Sequence, residues 1–428
     1  MLKLNKIATN ISWLTLEKAI RIITFFFVGS YVIRYLGPEK FGILSLILTI
    51  LSIFSVFSSW GIRGILVKKL AESQSNTSII LFNSFFITIS FSLLFLIIFI
   101  IFTYFYSTSI EEDIFLLFFI SSFALLFTFN EVISAYFESK INIKPITKIV
   151  VFANLLISAI KIIFLINESP LIYFVILIPV ESLVIALFSV YVITKKINIF
   201  RFIKIDFKIL KNFVYLGLPL AFASLVNILN MRIDQFMIIN LLDFSQLGIY
   251  SAGVRISELF FIIPTALTAS YFPKYVRAHN SKEYDLLKEM TSVLFIYSIL
   301  SFIFVYFFGS LFINILFGNE YLKSAEILKI LIFSTFFISF SLVNGKWLLK
   351  YEKTKIILYR VMISSLVNII LNYFLINLYG LNGAAYATII SYFVLFMLIL
   401  IDKDGFKVLK TQIESIKIKF LIKTLKIM

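Results

Sequence analysis

The chain has 428 residues, 61% of them hydrophobic and only 14% charged, with a mean hydropathy of +1.01 and a net charge of +16. A soluble domain carries roughly 25% charged residues, so the composition excludes a soluble globular protein and points to the membrane. Zero cysteines and a lone histidine, His279, exclude disulfides, thiolate metal sites, a cysteine nucleophile and a His-based metal cluster.

A membrane-spanning helix needs about 20 predominantly apolar residues. Read between charge clusters and turn signals, such segments are expected at 11–33, 41–60, 79–105, 114–137, 146–166, 170–193, 213–240, 247–272, 291–316, 325–349, 356–378 and 384–401. Gly37-Pro38, Pro170, Gly318-Asn319 and Gly380 to Gly383 punctuate the hairpins between them. The first segment contains Glu17, Lys18 and Arg21 and lacks a small-residue cleavage pattern, so it is expected to be a retained helix rather than a signal peptide. The expected fold is an all-α polytopic membrane protein with about 12 transmembrane helices.

Loop charge sets the orientation. With the N-terminus placed in the cytoplasm, the inner segments hold nearly all basic residues outside the spans: Lys3 and Lys6, Arg63 to Lys69, Lys140 to Lys148, Lys195 to Lys211, Lys274 to Lys288, Lys350 to Lys355, and the lysines after residue 402. The outer loops hold Arg34, Lys40 and Lys323, together with the acidic Glu111-Glu112-Asp113. This alternation is the pattern of the positive-inside bias, and it puts both termini in the cytoplasm. Basic residues scattered over many short loops are a topology signal, not a nucleic-acid surface.

The longest inner connection divides the chain into an N-terminal six-helix lobe at 1–193, a cytoplasmic linker at 194–212, a C-terminal six-helix lobe at 213–401 and a basic tail at 402–428. Phe41-Gly42-Ile43 recurs as Leu247-Gly248-Ile249, and Thr147-Lys148-Ile149-Val150 as Thr354-Lys355-Ile356-Ile357, at nearly one offset and at equivalent spans. Six spans is an even number, so the two repeats run parallel, with a substrate site expected near the midplane between them. In the tail, Phe406, Leu409, Ile413, Ile416 and Phe420 recur at steps of three and four among Lys407, Lys410, Lys417, Lys419 and Lys423. They read as an amphipathic helix lying on the cytoplasmic surface.

Charges inside the spans carry the functional reading. Each costs roughly 2.5–3.5 kcal/mol near the bilayer centre, so it normally faces a bundle interior or a watery cavity. The basic ones are Lys18, Arg21, Lys161, Arg232, Arg255, Lys329, Lys346 and Arg360; the acidic ones are Glu17, Glu131, Glu181, Asp234, Glu258 and Glu326. Arg21 lies about 15 Å into its span and Glu17 sits one turn before it, on the same face. Glu326, Lys329 and Lys346 lie near span ends and can snorkel to the interface. Asn154, Ser158 and Lys161 share one face, as do Arg360, Ser364, Asn368 and Asn372, and Asn227, Asn230 and Asp234. Arg21, Arg255 and Lys161, with Lys18 and Arg360 beside them, are the candidate cations of a cavity, against the alternative of fixed interhelical ion pairs. Glu17, Glu131, Glu181, Asp234 and Glu258 are candidate salt-bridge partners or carriers of a coupling proton or sodium ion, and Asn154, Asn227, Asn230 and Asn368 are candidate polar lining.

Four segments give the chain a family likeness: Arg34-Tyr35-Leu36-Gly37-Pro38-Glu39-Lys40-Phe41-Gly42, Asp234 through Gly248-Ile249-Tyr250-Ser251-Ala252-Gly253, Leu316-Phe317-Gly318-Asn319-Glu320-Tyr321, and Tyr379-Gly380-Leu381-Asn382-Gly383-Ala384-Ala385. The whole chain resembles the polysaccharide transporters of the multidrug/oligosaccharidyl-lipid/polysaccharide (MOP) exporter superfamily, in particular the bacterial O-antigen flippases. The resemblance implies two lobes around a cationic cavity in the bacterial inner membrane. It also implies alternating access and movement of undecaprenyl-diphosphate-linked oligosaccharide to the outer leaflet, with a proton or sodium gradient as drive and other polysaccharide-assembly proteins as partners. Deep basic residues on the first and eighth spans are a theme of the family, matched here by Arg21 and Arg255, and no other cofactor is implied. Guanidinium groups binding a diphosphate in two-point fashion fit that role. Alternatives are another lipid-linked cell-wall precursor, a multidrug substrate, and, from a different class, a membrane polysaccharide polymerase or acyltransferase. The short outer loops and the absence of an intramembrane histidine weigh against the enzyme.

Overall fold

A computed structural model describes residues 2–72, 77–108, 114–197, 205–279, 281–417 and 420–421, with backbone alone for 2–8, 11 and 281. The expected acidic outer loop Glu111 to Asp113, residues 198–204 of the linker, and Lys419 and Lys423 of the tail lie outside the described residues.

The described residues form helices joined by short turns, with no strand among them. In chain order they are α1 (Leu2–Thr24), α2 (Ser30–Ser59), α3 (Ile62–Glu72), α4 (Thr77–Thr108), α5 (Ile114–Ser122), α6 (Asn130–Ser139), α7 (Lys144–Ile166), α8 (Leu171–Thr194), α9 (Phe207–Leu241), α10 (Phe244–Val276), α11 (Ser281–Phe317), α12 (Leu322–Leu331), α13 (Ser334–Lys350), α14 (Thr354–Met397) and α15 (Gly405–Ser415). Among them are nine helical stretches long and apolar enough to cross a membrane, and a tenth made of α12 and α13 across a 43° bend.

Two of these stretches are too long for one crossing. Ser12–Glu72 has 61 residues and Thr354–Ile401 has 48, about 90 and 70 Å of helix against a hydrocarbon core of about 30 Å. The first breaks at Gly37 (φ 71°, ψ 170°) and the second at Gly380 (φ 57°, ψ −134°), backbone conformations open to glycine. At Gly380, α14 doubles back on itself. Ser364 Oγ reaches the Ser391 carbonyl at 2.7 Å, although 27 residues of straight helix would separate them by about 40 Å. With both breaks counted, the twelve expected apolar segments are all present.

The chain divides into two compact units: residues 1–36 with 43–228, and residues 37–42 with 229–428. In the first, α3 carries Arg63, Lys68 and Lys69, so that segment is a helix rather than the expected loop. It buries Ile62, Ile65, Leu66 and Leu70 against α6. Helix α4 shows the inverted packing of a lipid-facing helix, with Asn83, Ser84, Thr88, Ser92 and Thr103 buried and Leu93, Leu94, Ile97 and Phe105 exposed. Apolar tails draw no hydrophobic contact away from lipid, so small and hydroxylated side chains fill the helix contacts instead.

In the second unit, the recurring glycines meet. A Cβ added to Gly42 would lie 1.9 Å from the Phe244 carbonyl oxygen, and one added to Gly248 would lie 1.8 Å from that of Pro38. The two contacts are reciprocal, each glycine facing the carbonyl four residues before the other. Here α10 crosses the start of the second span backbone to backbone. One end of this unit is closed by Tyr275, Leu287, Met290, Trp347 and Leu348, with Val408 and Leu409 of α15 packed on them. The tail helix is therefore docked on the bundle and not simply laid on a surface.

Breaks inside spans recur at matching places. The fourth span unwinds between α5 and α6, through a 3-10 turn at Phe123–Phe127, and the tenth breaks at Ile332 and Phe333, between α12 and α13. The first span carries a π-helical turn at Phe25–Gly29, one turn beyond Arg21. No proline or glycine announces the breaks in the fourth and tenth spans.

Candidate functional site

The first unit encloses a cavity of about 650 Å³. Its charged lining comes from three helices: Glu17 and Arg21 of α1, Arg63 of α3 and Glu131 of α6. The irregular turn at Phe123–Phe127 contributes Ala124, Leu125 and Phe127, followed by Thr128 and Asn130. Non-helical backbone at membrane depth persists only where it is buried in protein or borders water, so this broken span and the polar cavity explain each other. A neighbouring space of about 390 Å³ shares Ser59, Arg63 and Glu131 and reaches Asn227.

The arginines arrive already partnered. Arg21 Nε donates to Glu17 Oε1 at 3.2 Å. Arg63 donates through Nη1 to Glu131 Oε2 and through Nε to Glu138 Oε2, both at 3.1 Å. The four charged lining groups are formally balanced, two positive and two negative. A guanidinium has five N–H donors. Arg21 engages its Nε and Arg63 its Nε and one Nη among the described residues, which leaves Nη donors of both available to a bound acceptor. Arg21 is 47% exposed and Arg63 44% exposed at the side chain. The cavity can therefore receive an anion without first breaking either ion pair.

Other expected groups of this unit lie outside that lining. Lys18 is exposed and Lys161 half-buried. Asn154 accepts from Thr24 Oγ1 at 2.8 Å, tying α7 to α1. Glu181 is half-buried next to Ser182, which does line the cavity. Asn227 is exposed and folds its amide back onto the Ala223 carbonyl at 3.0 Å.

In the second unit, Asp234 of α9 is 6% exposed. Tyr250 Oη donates to its Oδ2 at 2.5 Å and the Gln235 backbone N–H to its Oδ1 at 2.8 Å. It borders a pocket of about 30 Å³ with Asn230, Tyr250, Glu258, Thr388 and Tyr392. That space suits a single water-sized species, and Thr388 Oγ1 is buried beside it. Arg232 holds Glu258 by two contacts, 3.1 Å from Nη1 and 3.5 Å from Nη2, so the two charges neutralise each other beside Asp234. Oxygen groups around so small a space form an arrangement that can hold a proton or one hard cation. No cluster of three or more His, Cys, Asp or Glu suited to a metal occurs among the described residues.

Arg255 is half-buried on α10, and among the described residues it makes no ion pair within 4 Å. Arg360 lies elsewhere, 2% exposed. Its Nε and Nη2 donate to the Leu395 carbonyl at 3.2 and 2.8 Å, and Nη2 also to Ser341 Oγ at 3.1 Å. It thus serves one carbonyl near the end of α14, just before the helix tightens into 3-10 geometry. It borders none of the three spaces described above. Asn368 is likewise buried, accepting the Asn372 amide at 3.0 Å on the same helix. Lys329 and Lys346 rest over Tyr306 and Phe272, at 5.8 and 5.0 Å from the ring centres.

Arg63 was not among the sequence candidates, because it opens a charge cluster, Arg63, Lys68 and Lys69, assigned to a loop. The apolar spacing of Ile62, Ile65, Leu66 and Leu70 is the helical signal that would have placed it.

A family profile described as polysaccharide biosynthesis protein matches residues 32–326. A putative O-antigen transporter of Shigella flexneri is 24% identical over 369 residues, covering 83% of this chain and 87% of that one. The capsular polysaccharide biosynthesis protein CapF of Staphylococcus aureus is 28% identical over 195 residues, 43% of this chain and 48% of its own length. The chain thus spans about half the length of that relative. Among solved structures, the lipid II flippase MurJ in an inward closed conformation superposes with a TM-score of 0.70 at 16% identity, over 94% of this chain and 90% of that one. An inward-facing multidrug resistance MATE family transporter of the MOP superfamily gives 0.63 at 14% identity, over 94% and 96%. At these identities the likeness is one of fold: a multi-pass, all-α membrane architecture of the MOP type.

Proposed function

The chain belongs to the polysaccharide biosynthesis protein family, and from that premise we propose that it is a flippase for a lipid-linked oligosaccharide of the O-antigen or capsule type. It carries an undecaprenyl-diphosphate-linked repeat unit from the cytoplasmic to the outer leaflet of a bacterial inner membrane. Both termini stand in the cytoplasm, as the placement of the basic loops favours. The observation that carries this reading is the polar cavity within the first unit, where Arg21 and Arg63 keep guanidinium N–H groups open beside an unwound span. A diphosphate brings about two negative charges and acceptor oxygens suited to guanidinium forks. The lipid tail stays in the bilayer while the polar head crosses through the protein, and alternating access moves it. Arg255 supplies a further basic group on the eighth span.

The drive is a proton or sodium gradient acting at the Asp234 pocket. A buried carboxylate with Tyr250, Thr388 and Asn230 around a water-sized space changes its net charge when it takes up either ion, and the neighbouring Arg232–Glu258 pair stays neutral. No other cofactor enters the reading. Partners are the lipid-linked substrate, membrane lipid and other polysaccharide-assembly proteins.

The test replaces Arg21 and Arg255 singly by Gln, confirms normal membrane levels, and measures lipid-linked oligosaccharide in each leaflet. The expected result is accumulation in the cytoplasmic leaflet. Undiminished outer-leaflet delivery in both variants would overturn the role given to the arginines.

A further inference from the structure

The docked face of α15 leaves the opposite face unpartnered, and the chemistry of that free face is specific. Val408, Thr411, Gln412 and Ser415 are buried against the bundle. Gln412 Nε2 donates to the Phe340 carbonyl at 3.1 Å, and Ser292 Oγ to the Ser415 carbonyl at 2.9 Å. Lys288 pairs with Glu414 at 2.7 Å. At the other end, Lys353 reaches Asp402 at 2.7 Å. On the free side, Phe406 is 69% and Ile413 52% exposed, Lys410 lies within about 60° of them around the helix, and Lys417 is exposed in the bend two residues past its end.

The docking contacts also fix the level of this face. Helix α11 runs uncharged from Met290 to Phe317, and Ser292 lies in the first turn of that run. The last turn of α15, bonded to Ser292 and flanked by the Lys288–Glu414 pair, therefore stands where the apolar span begins. That is headgroup level, where an apolar strip beside lysines is the pattern of an interfacial helix.

We propose that the free face of α15 binds anionic phospholipid, with Phe406 and Ile413 entering the headgroup–acyl boundary and Lys410 and Lys417 meeting lipid phosphates. Charge complementarity selects the occupant: the strip is too narrow for a large protein interface, and its rim is basic on the side where an anionic headgroup would lie. Lys407 is left out of the set because its ammonium sits 4.4 Å over the Tyr284 ring. Through its bonds to α11 and α13, α15 then couples membrane charge to the inner end of the second unit. This inference rests on membrane insertion alone and holds whichever substrate is carried.

The full chain is placed, one copy per nanodisc, in phosphatidylcholine or in a seven-to-three mixture of phosphatidylcholine and phosphatidylglycerol. Hydrogen exchange of the α15 amides is then followed by mass spectrometry. A basic residue near an anionic surface contributes about fivefold in binding, so two lysines predict protection about 25-fold greater in the anionic discs. Lys410→Gln with Lys417→Gln should remove that gain while leaving protection in phosphatidylcholine unchanged. Phe406→Ser with Ile413→Ser should reduce it in both lipids. Equal protection of the unaltered protein in the two lipids would overturn the proposal, as would a gain that survives the lysine substitutions. Protection reproduced by inorganic phosphate in phosphatidylcholine discs would assign the face to a free anion, and protection that rises with two copies per disc would assign it to a second copy. Either result would also overturn it. Exchange is read without transport, so failure of the flippase reading leaves this result standing, and the reverse.

Discussion

Replacing Gly248 by Ala inserts a methyl group 1.8 Å from the Pro38 carbonyl oxygen and 3.1 Å from the Gly42 nitrogen. Ordinary contact begins near 3.4 Å, so the two backbones must part by about 1.6 Å. Neither obstacle is a side chain that can turn away. Overpacking costs about 1–3 kcal/mol, and a rigid backbone puts this site at the upper end. Alanine in place of glycine in a helix returns about 1 kcal/mol of propensity, leaving a net loss of about 2 kcal/mol. Gly345, inside α13, is the control: a Cβ there meets nothing within 4 Å, so Gly345→Ala keeps only the propensity gain, and the two substitutions should have opposite signs. Gly42→Ala should resemble Gly248→Ala, and the double variant should cost less than the sum, because helices parted by one methyl already admit the other. The assay is thermal unfolding by circular dichroism in one detergent at one scan rate. A Gly248→Ala protein as stable as Gly345→Ala, or strict additivity of the pair, would refute the backbone crossing.

Other outcomes follow from single contacts. Glu283 is 4% exposed and pairs with Lys350 at 3.0 Å while accepting from Tyr275 and Tyr351; Glu283→Ala should cost about 3–5 kcal/mol by leaving Lys350 uncompensated, and adding Lys350→Met should restore much of the loss in the same melting assay. Arg360→Met leaves the Leu395 carbonyl without its donors and should cost about 1–3 kcal/mol, with outer-leaflet delivery per folded molecule unchanged; a loss of delivery in a fully folded variant would return Arg360 to the transport path. Asp234→Asn keeps the shape of its pocket and removes the charge, so delivery in proteoliposomes should lose its response to an imposed proton or sodium gradient, at least tenfold at the wild-type optimum. The Lys288 ammonium, bonded to Glu414, holds that carboxyl below its ordinary value. The tether is then complete at neutral pH and is lost only as pH falls through the lowered value. Glu414→Gln should accordingly speed amide exchange in α15 at pH 7, and the difference should shrink as pH falls through the lowered value, once intrinsic rates are divided out.

The twelve apolar segments were legible because length and hydropathy alone define a membrane span, and the glycine-marked hairpins at Gly37 and Gly380 followed from backbone chemistry. The breaks at Phe123–Phe127 and at Ile332 were not legible, because the residues there are ordinary apolar ones and the surroundings cause the break. Polar stripes were visible but ambiguous. In the membrane such a stripe serves either a cavity or hydrogen bonds between helices, and sequence does not distinguish the two. Glu17, Arg21 and Glu131 border a cavity, whereas Arg360, Ser364 and Asn372 make contacts within the doubled helix α14. Arg232 illustrates a third outcome, pairing with Glu258 across to another helix while Asp234, two residues on, is held by Tyr250.

The reciprocal meeting of Gly42 and Gly248 has the form of an isologous contact, in which one surface meets a copy of itself across a local two-fold. Two positions that read as separate sites in the sequence are thus a single steric condition expressed twice. A side chain gained at either one presses on the backbone beside the other, so neither repeat can change there on its own.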